Sequence, residues 1–387
     1  MSVFGLGRQG RVLVAQLGET ERSRWIVGSC GLKQDNEIHL IDYDEDEDEI
    51  THAVYSHPDE VLSIAPSPTK ADLFFSCARK VEDRASTLHT TLWRFPNIDS
   101  DTSGKLKGGG KNPLEEIAVF SPTIGLPDIH QILWEPSGTL SQVVGLGSHR
   151  IGIYALGESD LNLILDKEVS IQASGETNIG CGAWDPHHIS QIAVGSGTSI
   201  IGWDIRGNSE CFRIPNAHEL PMRTLDYNPN KPYHMVSGGD DCTVRIWDTR
   251  NSNTWLKSIS DHSHWIWSAS FNKFHDQLLL SSSSDCRVNL DSVVSVSSVF
   301  LNSGTRVLSS NSSDGGHLDD SDDYDSGEYH SNKAIDGLIA SFDHHEEAVY
   351  SVSWSAADPW IFASLSYDGR LVVNQVPKEE KYKIMDC

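Results

Sequence analysis

The sequence predicts an all-β protein, a single seven-bladed β-propeller that spans residues 1–387. Three observations predict this fold. A short pattern returns along the chain, with a spacing of 44 residues where it is clearest. Polar residues return at fixed distances before it, and each repeat contains short runs in which apolar and polar residues alternate. Alternation with a period of two is typical of β-strands, and four such strands form one propeller blade.

The repeat is clearest in two segments that end in the same pattern, GWDIR at 202–206 and IWDTR at 246–250. Their tryptophans are 44 residues apart. The same frame recurs seven times, and its tryptophan position holds, in chain order, Ile41, Trp93, Tyr154, Trp203, Trp247, Asp291 and Asn374. A repeat of about 40–45 residues with a Trp-Asp pair is typical of a WD-repeat propeller, so we interpret the fold as a seven-bladed WD-repeat β-propeller.

Closure of the ring requires one strand from a chain end. The alternation predicts four strands for the first blade, at 11–16, 24–30, 37–43 and 49–55, and three for the last, at 349–354, 361–366 and 370–376. The fourth strand of the last blade must come from 2–7 or from 381–386. We favour the C-terminal segment.

A second periodicity precedes the tryptophan position in the last three blades. A histidine is followed by a serine at +19 and an aspartate at +23, and these residues match the structural hydrogen-bond network of WD repeats. A catalytic triad uses similar residue types, but a set repeated three times at constant spacing predicts structure rather than catalysis. The predicted network contains His218, Ser237, Asp241 and Trp247, then His262, Ser281 and Asp285, and finally His345, Ser364 and Asp368.

The charge and the cysteines exclude several classes of function. The net charge is −25, from 55 acidic and 30 basic residues, which opposes binding to nucleic-acid phosphates. The seven cysteines form no C-x-x-C pair, so neither a disulfide framework nor a zinc site is expected. No apolar run is long enough for a membrane span or a signal peptide, which predicts a cytoplasmic protein. We expect no metal, no cofactor and no enzymatic activity.

Two insertions interrupt the repeat. Residues 99–112 are glycine-rich and predict a flexible loop between the second and third blades. The gap between Asp291 and Asn374 is 83 residues rather than 44, and its extra length coincides with an acidic, serine-rich insert at about 303–333. Its composition predicts a disordered surface loop.

One face of the ring is predicted to bind partners, at the end where each blade's first strand begins. Trp265 and Tyr367 occupy loop positions of neighbouring blades on this face, and Asp240 and Glu219 occupy corresponding acidic positions. Exposed aromatic side chains dominate the energetics of many interfaces, so we predict a hot spot at these four residues. A partner patch that is apolar at its centre and basic around it would match them.

Three stretches are more specific than a generic WD repeat: 228–251, 261–272 with its HSHWIW motif, and 355–377 with ADPWIFASLSYDGRL. In these stretches the chain resembles the EARP and GARP complex-interacting protein family. The resemblance implies a non-enzymatic adaptor that binds endosomal and Golgi vesicle-tethering complexes in retrograde transport and endosomal recycling. It implies association with the trans-Golgi network and endosomes through those partners. We expect a monomer that does not insert into membranes.

An alternative function comes from two W-D-x-R motifs, Trp203-Asp204-Ile205-Arg206 and Trp247-Asp248-Thr249-Arg250. They resemble the motif of WD proteins that act as substrate receptors of cullin-type ubiquitin ligases. The motif is short and common, and Asp and Arg at these positions can also close the end of a strand as an ion pair. Co-purification of tether subunits or of a cullin distinguishes the two hypotheses.

Overall fold

The computed structural model describes residues 1–385, apart from a few loops. The residues left out are 32–34, 83–84, 97–105, 107–109, 121–125, 127, 139–141, 158–160, 162, 171–177 and 300–334.

Within the described residues the strands form seven sheets, one for each blade, after an N-terminal strand β1 (Ser2–Gly5). Blade one contains β2 (Gly10–Ala15), β3 (Ser23–Ser29), β4 (Asn36–Asp44) and β5 (Glu49–His57). Blade two contains β6 (Glu60–Pro66), β7 (Leu73–Glu82), β8 (Ala85–Arg94) and, after β9 (Lys111–Pro113), β10 (Glu115–Val119). Blade three contains β11 (Gln131–Trp134), β12 (Gln142–Leu146), β13 (Arg150–Leu156) and β14 (Leu163–Ser170).

Blades four to seven follow the same plan, with the innermost strand first and each following strand antiparallel to the strand before it. They contain β15 (Ile179–Trp184), β16 (Gln191–Ser196), β17 (Ser199–Asp204) and β18 (Ser209–Ile214); β19 (Met222–Tyr227), β20 (His234–Gly239), β21 (Val244–Asp248) and β22 (Lys257–Ile259); β23 (Ile266–Phe271), β24 (Leu278–Ser283), β25 (Val288–Ser292) and β26 (Gly337–Phe342); and β27 (Val349–Trp354), β28 (Ile361–Ser366) and β29 (Arg370–Gln375). A 3-10 turn at Val294–Val296 and a terminal helix α1 (Lys378–Met385) complete the described elements.

The predicted repeat frame is confirmed. All seven residues at its tryptophan position lie in the third strand of a blade, in β4, β8, β13, β17, β21, β25 and β29. The innermost strands β2, β6, β11, β15, β19, β23 and β27 contact one another in sequence around the ring, and β27 contacts β2 again. The chain is therefore a closed seven-bladed propeller.

Apolar residues between the blades form the core. The second strand of each of the last three blades, β20, β24 and β28, is buried along its whole length, because a neighbouring blade covers each face of the sheet. Between blades three and four, Val144 and Ile151 pack with Ile192 and Ile201. Such strands are continuous apolar or small-residue runs rather than strict alternations.

The expectation for ring closure was wrong. Strand β1 pairs antiparallel with β29, with Ser2 opposite Val373 and Gly5 opposite Arg370, so the N-terminus supplies the fourth strand of the last blade. Phe4 also packs on the ring of His52 in blade one, at 4.6 Å between centroids. The C-terminal segment instead forms helix α1, because its KEEKYKIM sequence consists mainly of good helix formers.

The two predicted insertions lie largely outside the described residues. The acidic insert at 303–333 lies outside them entirely. Most of the glycine-rich segment 99–112 does too, but Lys111 and Asn112 belong to β9, which adds to blade one parallel to β5. The Nζ of Lys111 lies 2.7 Å from Oε1 of Glu37. The last residues of the predicted loop are therefore held on the sheet. Among the described helices, none is long and apolar enough to cross a membrane.

Candidate interaction face

β-Bulges in the innermost strands place several of the residues that line the central channel. In six blades the pairing of the innermost strand with the second strand shifts by one residue at the same position. A bulge leaves one residue unpaired and re-aims its side chain. The six bulged residues all line a central cavity of about 470 Å³; they are Arg11, Leu62, Gly180, Arg223, Trp267 and Tyr350.

The predicted network is complete in blade five. Nδ1 of His218 lies 2.9 and 3.0 Å from the carboxylate oxygens of Asp241, and Nε2 lies 2.7 Å from Oγ of Ser237. The indole Nε1–H of Trp247 donates to the same serine oxygen at 2.9 Å. Asp241 also accepts the backbone N–H of Glu219 at 3.0 Å. The network thus ties the loop before β19 to the turn after β20 and to β21.

Blade six repeats this geometry without the tryptophan. Nδ1 of His262 lies 2.9 Å from Asp285, and Nε2 lies 3.0 Å from Oγ of Ser281. The buried carboxyl of Asp291 occupies the tryptophan position, and its Oδ2 has no hydrogen-bond partner among the described residues. Burial is the main cause that raises the pKa of Asp291 to about 6, and the nearby charge of Asp261 contributes to the same rise.

Blade seven departs from the prediction. His345 bonds Oγ of Ser364 at 2.8 Å, as predicted, but its Nδ1 bonds Oγ of Ser366 rather than Asp368. Asp368 accepts a hydrogen bond from that Ser366 hydroxyl at 2.5 Å. The exposed Asp368 therefore acts on the histidine through an intervening serine. Burial lowers the pKa of His345 to about 4, which keeps the ring neutral at pH 7.

Blade two contains a network that the sequence interpretation missed. Nε2 of His57 lies 3.0 Å from Oγ of Ser76, and Nε1 of Trp93 donates to that oxygen at 2.8 Å. The serine follows its histidine by 19 residues, the same spacing as in blades five to seven. This spacing is the signal that would have identified it. Because the β7–β8 hairpin is longer, Trp93 lies further along the chain from its histidine than Trp247 does from His218, and the network was therefore not recognised from the spacing.

The structure places Trp265 and Tyr367 on the predicted face and connects them through bulged residues. Trp265 is 42% exposed. Its ring lies 6.3 Å from that of Trp267, which lies 4.4 Å from Tyr350, which in turn lies 5.6 Å from Tyr367. A continuous row of four aromatic rings thus runs from the outer rim into the mouth of the channel and back to the rim.

The two predicted acidic residues have different surroundings. Asp240 forms a bidentate ion pair with Arg223, at 2.6 Å from Nε and 2.8 Å from Nη2. The same guanidinium lies 4.5 Å from the ring centroid of Trp267 and 5.4 Å from that of Trp265. Glu219 is exposed. Only Glu219 of this pair offers a carboxylate that a basic partner group can reach without breaking an ion pair.

Arg223, Trp267 and Tyr350 were not identified from the sequence. Each follows the leading histidine of its blade by five residues, so the repeat frame already contained the signal. The missing element was the bulge, because strict alternation does not show which residue of the strand faces the channel.

Both W-D-x-R motifs lie at the ends of third strands. Arg250 donates to both carboxylate oxygens of Asp248, at 2.9 and 2.7 Å, and its guanidinium lies 4.8 Å from the ring centroid of Tyr233. Asp204 instead accepts the backbone N–H of Arg206 at 2.9 Å. These contacts close the strand ends, and they do not favour the ligase-receptor hypothesis.

Comparison with known proteins agrees with this architecture and names its family. Residues 1–290 match the family model described as EIPR1 beta-propeller, and residues 337–373 match the WD domain, G-beta repeat. The EARP and GARP complex-interacting protein 1 of Rattus norvegicus is 38% identical over 399 residues, and that of Homo sapiens is 36% identical over 400. The EARP-interacting protein homolog of Danio rerio is 37% identical over 393 residues. Each alignment covers 99% of this chain and 98% of the relative.

This chain belongs to the EARP and GARP complex-interacting protein family. The resemblance inferred from the motifs is confirmed over nearly the whole chain. As a WD-repeat propeller of this family, the protein is a non-enzymatic interaction scaffold. In the part of the chain that the structure describes, no group of three or more His, Cys, Asp or Glu side chains is arranged to hold a metal ion.

Proposed function

We propose that this protein is an adaptor that binds endosomal and Golgi vesicle-tethering complexes, in retrograde transport to the Golgi and in endosomal recycling. The observation that carries the proposal is the alignment of the whole chain, at 36–38% identity, with relatives named for their interaction with the EARP and GARP complexes. A similarity that covers 99% of the chain includes every blade and both faces of the ring, so it includes the surfaces that bind.

The geometry of the predicted face supports an adaptor role. A propeller holds many loops on a rigid ring, and function resides in such loops. Trp265 is exposed at the rim, in a row of rings that continues into the channel. The surrounding hydrogen-bond networks fix the loops that carry these residues, which lowers the entropy lost on binding.

The proposal extends to location and assembly. The protein acts as a monomer, reaches the trans-Golgi network and endosomes through its partners, and binds neither nucleic acid nor the membrane interior. The net charge of −25 supports the absence of nucleic-acid binding, since phosphates would be repelled.

Affinity purification followed by mass spectrometry tests the proposal. The tagged full-length protein is expected to recover tether subunits in stoichiometric amounts. Recovery of a cullin and its adaptor without tether subunits would refute the proposal and support the ligase-receptor alternative. A useful control is the Arg250→Ala variant, which removes the arginine of the second W-D-x-R motif and should leave tether recovery unchanged.

A further inference from the structure

The mouth of the central channel has a charge opposite to that of the chain as a whole. The protein contains 55 acidic and 30 basic residues, yet the described residues that line the cavity include three arginines, Arg11, Arg79 and Arg223, and neither an aspartate nor a glutamate. Arginine side chains collected in a cavity without lining carboxylates create a local positive potential, which attracts anionic groups.

The three arginines are not equally neutralised. Arg223 is ion-paired with Asp240, and Arg79 lies 3.7 Å from Glu60. Arg11 has no hydrogen bond or ion pair with any of the described residues. Its guanidinium instead lies over the ring of Tyr350, at 4.9 Å from the centroid, and 6.0 Å from that of Trp267.

Stacking of this kind holds a guanidinium in place but leaves its N–H donors available. Arginine has five such donors in a planar fork that matches the geometry of a carboxylate. The bulge that carries Arg11 also fixes where its side chain begins, because the residue is set out of the strand pairing between Gly10 and Val12. Arg11 is therefore a cation that is held in a defined position and has no carboxylate paired with it among the described residues.

The rest of the lining selects the kind of anion. Between the arginines lie the rings of Trp267 and Tyr350 and the apolar side chains of Val14 and Met222. A cavity of about 470 Å³ with this lining accepts a few residues of a peptide more readily than a heavily hydrated phosphate. The aromatic row continues from the cavity to Trp265 on the rim, so a peptide that enters here also crosses the predicted interaction face.

We propose that the channel mouth binds a short acidic segment of a partner protein, with a carboxylate held by Arg11 and an adjacent apolar side chain packed against Trp267 and Tyr350. This site rests on the proposed function as a protein-binding adaptor, and it specifies the chemistry of the bound segment.

A random heptapeptide phage library selected on the full-length protein tests the site. The selected peptides should be enriched in an aspartate or glutamate next to an aromatic or aliphatic residue. Their binding should weaken as the salt concentration rises, because a charge pair at a partly open site is screened. The Arg11→Gln variant should bind the selected peptides about tenfold more weakly or worse, whereas Arg11→Lys, which keeps the charge, should lose less.

The matched control is Arg150→Gln, which removes an exposed arginine that is paired with Glu168 on the outside of blade three. It should leave peptide binding unchanged. A measurement that does not depend on the folding of Arg11→Gln uses intrinsic fluorescence: the peptides should change the emission of the wild type, and the change should be largely lost in Trp267→Phe.

Three results would overturn the site: no peptide is selected, the selected peptides lack acidic residues, or Arg11→Gln binds them as tightly as the wild type. Recovery of tether subunits by the wild-type protein is measured in parallel. If tether subunits are recovered while the peptide site fails, the adaptor function stands and only the acidic-segment site is refuted. If tether recovery itself fails, the proposed function is refuted.

Discussion

Asp241 and His218 are directly paired in the structural network of blade five, with Nδ1 of the imidazole 2.9 Å from one carboxylate oxygen and 3.0 Å from the other. Burial raises the pKa of Asp241, but the hydrogen bond and charge of His218 outweigh it and hold the pKa of that carboxyl well below its usual range. The pair joins two loops at the predicted interaction face, so it stabilises the blade and the binding surface together.

We expect Asp241→Ala to lower the free energy of unfolding by about 1–3 kcal/mol, because it leaves the buried His218 and the N–H of Glu219 without an acceptor. Asp368→Ala is the matched comparison at the same repeat position of blade seven. Asp368 is exposed and accepts hydrogen bonds from the hydroxyl of Ser366 and, at 3.3 Å, from the backbone N–H of Arg370. The Ser366 hydroxyl also lies 3.3 Å from the carbonyl oxygen of Arg370. Replacement of Asp368 should cost clearly less. Urea unfolding that gives equal losses for both variants would contradict this difference.

Removal of residues 2–5 should lower the melting temperature by several degrees and by more than removal of 378–385. Without β1, strand β29 becomes an unpaired edge and the contact between blades seven and one is weakened. Helix α1 contributes one buried apolar side chain, Ile384, and pairs with no strand. Differential scanning calorimetry of the two deletions decides the matter, and a larger loss from the C-terminal deletion would show that α1 rather than β1 holds the ring closed.

The repeat frame could be predicted from the sequence because alternating strands and a recurring Trp position are local patterns. The strands predicted for blade one begin and end within about two residues of β2 to β5. The same local patterns could not identify β1 as the strand that closes the ring. Its four residues carry no repeat signal, and pairing with β29 depends on contacts between residues more than 360 positions apart.

The channel lining shows a second limit of sequence patterns. The place of Arg11 in the cavity lining depends on a register shift against β3, and that shift belongs to the pair of strands rather than to either sequence alone. Likewise, His345 bonds Ser366 directly instead of the predicted Asp368, and this difference depends on the shape of the turn that follows β28.

We expect Asp291→Asn to stabilise the protein at pH 7. Burial raises the pKa of Asp291 from its ordinary value of 3.8 to about 6, so the folded state binds a proton more tightly than the unfolded state. The stability supplied by that proton is present below about pH 4 and is lost as the pH rises through about 6. The asparagine variant carries no such charge, so its free energy of unfolding at pH 7 should exceed that of the wild type by about 1–3 kcal/mol.

The difference between the two proteins should shrink as the pH falls to 4, where the wild-type carboxyl is protonated. Neighbouring groups, among them Asp261, His262 and Lys257, are common to both proteins. Asp46→Asn, at an exposed position, is the control and should show no such change between pH 7 and pH 4. Chemical denaturation across this range is the measurement. A variant that is equally stable or less stable at pH 7 would show that the buried carboxylate is already compensated.

The last prediction concerns the rim of the interaction face. The double variant Trp265→Ala, Tyr367→Ala removes both ends of the aromatic row and should weaken capture of tether subunits by about tenfold or more, because aromatic anchors supply much of the energy of an interface.

Phe274→Ala with Tyr382→Ala is the matched control, since both rings are also exposed. Trp265 precedes β23 and Phe274 follows it, and Tyr382 lies in α1 beyond the end of β29, so the control residues lie on the opposite face of the ring. Circular dichroism should show that both variants keep the fold. Capture at the wild-type level by the Trp265 and Tyr367 variant, or an equal loss in the control, would place the binding surface elsewhere on the propeller.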